Sequence, residues 1–86
     1  MKTRVKLSDL KARLFDLNES KGFQTEPYSK QGDKLEANVN TFYLSQAYGG
    51  YNVYQMVNKS GGVREPAGYG HVTKRECLER IPSLFN

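Results

Sequence analysis

Apolar positions in the first quarter of the chain recur at helical spacing: Leu7, Leu10, Leu14 and Leu17, with Ala12 and Phe15 widening the stripe. That period predicts one amphipathic helix over residues 8–21. Ser8 has the chemistry of an N-cap, and Asp9 suits the positive end of a helix dipole. Lys21-Gly22 offers a terminal cation and a left-handed stop. Lys11 falls on the side away from the leucines, and Arg13 at the stripe's edge. From Asn40 to Lys59 two β-rich runs flank Gly49-Gly50. A two-residue turn on those glycines predicts a hairpin with Phe42 opposite Val57, Leu44 opposite Gln55 and Gln46 opposite Val53. Side chains alternate between faces along a strand. Phe42, Leu44, Val53 and Val57 therefore form a core side, while Thr41, Tyr43, Ser45, Ala47, Asn52, Tyr54, Met56 and Asn58 form the other.

Residues 22–37 are polar and broken by Gly22, Pro27, Gly32 and Asp33. They read as a long connection, with room for a short strand near Phe23–Tyr28 and with Phe23 and Tyr28 turned toward the core. After the hairpin, Asn58–Gly62 is a turn, and Val63-Arg64-Glu65 has the composition of a brief third strand stopped by Pro66. Thr73 and Glu76 have capping-box spacing, and Val72 and Cys77 occupy the positions of a hydrophobic staple. They predict a short helix over 74–81 with Cys77, Leu78 and Ile81 inward, closed by Pro82. Leu84 and Phe85 complete the core. The expected fold is α+β: an N-terminal helix, an antiparallel β-hairpin with or without a third short strand, and a short C-terminal helix. Both helices pack on one face of the sheet, in one small domain over 1–86 whose residues 1–7 form a basic arm.

With 86 residues and 37% hydrophobic content, the chain is large enough for one core. No apolar run approaches the roughly 20 residues of a membrane span, and no signal-peptide core follows the basic start. The single Cys77 excludes an internal disulfide and fits a reducing compartment. A soluble cytoplasmic protein is expected. The formal charge is +4, and its distribution narrows the partner class further. Residues 1–13 hold Lys2, Arg4, Lys6, Lys11 and Arg13 against Asp9 alone, and the remainder is balanced, eight against eight.

Catalytic chemistry has little to stand on. His71 and Cys77 are each single and six residues apart, without an orienting partner or an oxyanion site. The staple already accounts for Cys77. Metal sites need three or four ligands, and Gly68-Tyr69-Gly70 lacks the further glycine of a dinucleotide loop. No enzyme activity, metal, cofactor or small-molecule substrate is expected. Binding remains, on either of two surfaces. Tyr43, Tyr54 and Met56 on the non-core face of the hairpin suit a protein partner or a homodimer, which is the leading reading. Arg4, Lys6, Lys11 and Arg13 at the N-terminus, with Lys74 and Arg75 at the last helix, suit nucleic-acid phosphates as the alternative.

Two resemblances bear on these readings. Ala47-Tyr48-Gly49-Gly50-Tyr51-Asn52-Val53, then Val57–Val63, Gly68–His71 and Thr73–Glu76 look like a pattern in small uncharacterised phage and prophage reading frames. In that pattern a "YGGY" hairpin precedes a "GG" turn and a last short helix. The resemblance implies a phage-related protein in a bacterial host, and no particular reaction. Leu17-Asn18-Glu19 in the first helix, with Gly68 and Gly70 before Thr73-Lys74-Arg75, resemble the double-stranded RNA-binding domain. That family's order is helix, three strands, helix. Its basic pair at the last helix contacts phosphates across the major groove, a role that would fall to Lys74 and Arg75.

Overall fold

A computed structural model describes residues 4–85, Gln31 by its backbone alone. Lys2 and the rest of the expected arm before Arg4 therefore lie outside the described residues. The protein is α+β, with α1 (Leu7–Lys21), β1 (Tyr28–Gln31), β2 (Lys34–Ala37), β3 (Phe42–Ala47), β4 (Gly50–Met56), β5 (Val63–Arg64), α2 (Lys74–Arg80) and a closing 3-10 turn at Pro82–Phe85. The strands form two antiparallel sheets, β1-β2 and β3-β4-β5.

The first helix starts one residue before the predicted point. Lys6, not Ser8, is its N-cap, because Asp9 reaches back to accept the Lys6 N–H at 2.8 Å. Gly22 ends it in the left-handed region (φ 74°), donating to Glu19 as Phe23 donates to Asn18. Leu10, Leu14 and Leu17 are buried with Phe42, Val53, Cys77 and Ile81 in one cluster, and Phe23, Leu44, Tyr51 and Leu84 pack against it. Phe15 and Phe85 stay substantially exposed. Residues 28–37 are not a connection but a hairpin of their own, with Gln31 paired to Lys34 around Gly32-Asp33. Tyr28 stands in β1 and is half exposed, whereas Phe23 meets Phe42 with ring centroids 6.0 Å apart.

The central hairpin keeps its predicted faces but not its register. Its turn is Tyr48-Gly49, both at positive φ (54° and 73°), and Ala47 pairs with Gly50. Leu44 thus lies opposite Val53, Tyr43 opposite Tyr54 and Phe42 opposite Gln55. This shift exchanges mixed cross-strand pairs for an aliphatic and an aromatic one. Gly50 is then free to sit where a Cβ would lie 3.0 Å from the His71 main chain. Because β4 ends at Met56, Val57 is not a core residue and is about half exposed. At the other end Asn40 (φ 78°) donates to the Met56 carbonyl while Met56 donates to Thr41, a bulge that sets the start of β3.

Candidate binding surfaces around the central turn

The segment after β5 wraps the outer edge of β4. Gln55 and Met56 pair with β5, and Tyr51 forms a two-way bridge with Val72, at 2.8 and 2.9 Å. Between those contacts residues 65–71 bow away, leaving the Val53 N–H without a strand partner. Asn52, fully buried, fills the gap: its Oδ1 accepts the Val53 N–H, and its amide donates to Glu65 and to the Gly68 carbonyl. Arg80 closes the knot, donating to Asn52 Oδ1 and the Gly70 carbonyl. The loop is thereby pinned, and His71 and Val72 are delivered to the turn end of the hairpin.

His71 lands beside Ser45, with Nε2 and Oγ 2.9 Å apart. Its ring stands 6.0 Å from Tyr48 and 5.9 Å from Tyr54, and Tyr54 stands 5.8 Å from Tyr43, all edge-to-face. Four rings therefore form one row across the face of β3 and β4 opposite the helices. Tyr43 and Tyr54 are half-buried, and Tyr48 at the tip is 99% exposed. Burial, then the neighbouring Tyr28 and Tyr54, push the Tyr43 phenol above its ordinary range. Met56, expected on the same contact face, is fully buried and takes no part in that surface.

The cations divide. Arg4, Lys74 and Arg75 come together around one concavity of about 520 Å³, which Tyr51, Gly49, Val5 and Thr73 also line. The Lys74 ammonium lies 5.5 Å from the centre of the Tyr51 ring, a cation–π contact that offsets its unfavourable place in a first helical turn. Thr73 holds that helix start by accepting the Glu76 N–H at 3.2 Å. Among the described residues no carboxylate lines the concavity. Lys6 is the exposed cap of α1. Lys11 belongs to a groove with Phe15, Pro27 and Leu44, and Arg13 to a hollow that also holds Asp9 and Asp16. Those three do not join the cluster.

Cys77 lies buried in the core under α1, and burial pushes its thiol up despite the opposing effect of Arg80. It and His71, which the sequence leaves without an orienting partner or oxyanion site, lie on different sides of the sheet. Nothing in the spacing of Ser45 and His71 announces their pairing, since the loop anchored by Asn52 sets it. Among the described residues no three His, Cys, Asp or Glu side chains gather as a metal site, and no helix is long and apolar enough to cross a membrane. Comparison with protein-family models, with curated proteins and with solved structures finds no match to this chain.

Proposed function

We propose that this protein is a small non-enzymatic module that binds nucleic acid through phosphate contacts at the Arg4–Lys74–Arg75 concavity. The observation that carries the reading is the convergence itself. Arg4 and the Lys74-Arg75 pair are distant in sequence, yet they line one hollow beside the ring of Tyr51, with no carboxylate among its described lining residues. Three cations around one concavity suit an extended polyanion, because each phosphate contact releases condensed counterions. A phage-related protein in a bacterial cytoplasm is the setting we propose with it.

The test is affinity for short oligonucleotides as a function of salt, in the wild type and in Lys74→Ala/Arg75→Ala. Binding that weakens with salt in the wild type, and whose salt slope shrinks in the variant, supports the reading. Undiminished affinity in the variant removes it. A protein partner or homodimer on the hairpin face is a second reading, favoured by the half-buried, edge-to-face Tyr43–Tyr54 pair, though without Met56. Unchanged partner capture and oligomeric state in Tyr43→Ala and Tyr54→Ala would exclude it.

A further inference from the structure

The basic concavity and the aromatic row meet at one element. Gly49 lines the concavity and Tyr48, its neighbour in the same two-residue turn, begins the row. From Tyr48 the rings continue without a break through His71 and Tyr54 to Tyr43. No Asp or Glu occurs between Glu36 and Glu65, so β3, β4 and β5 carry no negative side chain. A polyanion leaving the concavity over the turn meets rings carried on strands that have no acidic side chain of their own.

Tyr48 itself points the same way. Its backbone sits at φ 54°, a conformation that Gly or Asn adopts more readily, and its ring is 99% exposed. The fold gains nothing from an aromatic there beyond its edge contact with His71. His71 in turn is held by Ser45, which fixes the middle of the row.

We propose that the ligand is single-stranded nucleic acid, its backbone in the Arg4–Lys74–Arg75 concavity and its bases stacked on the row that begins at Tyr48. This rests on the phosphate-binding reading above and adds strandedness to it. Unpaired bases expose the π-faces that aromatic side chains recognise, whereas a duplex keeps them inside its own stack. Tyr48 is the first stacking position and Tyr54 the next tyrosine along the row.

The experiment measures binding of a labelled oligothymidylate, and of the same strand annealed to its complement, to wild type, Tyr48→Asn and Tyr54→Thr. Asn suits the positive φ of the turn and Thr suits a strand, and urea midpoints check that both variants fold. The single strand is expected to bind more tightly than the duplex. Each variant is expected to lose roughly fivefold or more of that affinity, the size of one stacked base, with the salt slope unchanged. Duplex binding as tight as single-strand binding, indifferent to both substitutions, overturns the inference and leaves the phosphate reading standing. Absence of binding to either at low salt overturns both. Loss of self-association in the variants with oligothymidylate affinity intact also overturns it, and assigns the row to a protein contact.

Discussion

The Asn18 amide takes the place of a neighbouring strand. Its Nδ2 donates to the Phe42 carbonyl and its Oδ1 accepts the Phe42 N–H, both at 2.8 Å, with the side chain buried. Phe42 is thus blocked as an open edge position, and α1 is locked to β3 by hydrogen bonds as well as by leucines. Leaving both main-chain groups unpaired costs about 1–3 kcal/mol each where water is excluded. Asn18→Leu is expected to destabilise the protein by about 2–4 kcal/mol in urea unfolding, despite its apolar gain. A change under about 0.5 kcal/mol, the range of an ordinary surface substitution, would contradict this role. At Tyr48 the expectation is reversed. Tyr48→Asn relieves a bulky residue at positive φ and leaves stability equal or up to about 1 kcal/mol higher, as the urea midpoint would show.

Elements whose own pattern decides them were legible in the sequence. The leucine period gave α1 to within a residue, Thr73 and Glu76 marked the start of α2, and strand parity assigned the faces of the central hairpin. The turn was misplaced because Gly49-Gly50 offers two adjacent two-residue solutions of equal parity. The choice between them is made by distant contacts: the Leu44–Val53 and Tyr43–Tyr54 pairs, and the closeness of Gly50 to His71 and Val72. The β1-β2 hairpin was missed although Gly32-Asp33 is a recognised turn dipeptide, because its flanks lack the apolar alternation that marks a buried strand. Gly50→Ala tests the register directly. A Cβ there would stand 3.0 Å from the His71 main chain and 3.1 Å from the Val72 nitrogen. It is expected to loosen the Tyr51–Val72 bridge and to cost about 1–3 kcal/mol, as overpacking does. Full tolerance, with the Tyr51 and Val72 amides still protected from hydrogen exchange, would mean that the contact does not hold the turn.

For the whole molecule, one buried and one half-buried acid set a limit on alkaline stability. Burial raises the Cys77 thiol and the Tyr43 phenol above their ordinary ranges. The folded state therefore holds these protons more tightly than the unfolded chain. Their contribution is complete below the ordinary values, about 8.5 for a thiol and 10 for a phenol, and is lost as pH rises through the folded ones. The urea midpoint is expected to fall above about pH 9. Cys77→Val, which keeps a small apolar side chain, should flatten the earlier part of that decline. An unchanged slope in the variant would assign the decline to other groups.

The proposed function rests, at this scale, on charge position more than on net charge. The sequence placed six candidate cations at two ends of the chain, and the fold gathers Arg4, Lys74 and Arg75 around Tyr51 while leaving Lys6, Lys11 and Arg13 elsewhere. None of that division was visible in spacing, because it depends on how the start of α1 lies against the turn of the central hairpin. The most direct test is the salt dependence of oligothymidylate binding. Three phosphate contacts predict a slope of log affinity against log salt near about −2 for a single strand, falling toward about −0.7 in Lys74→Ala/Arg75→Ala. Affinity independent of salt, or a slope unchanged by the double substitution, would contradict a phosphate-binding role for the concavity.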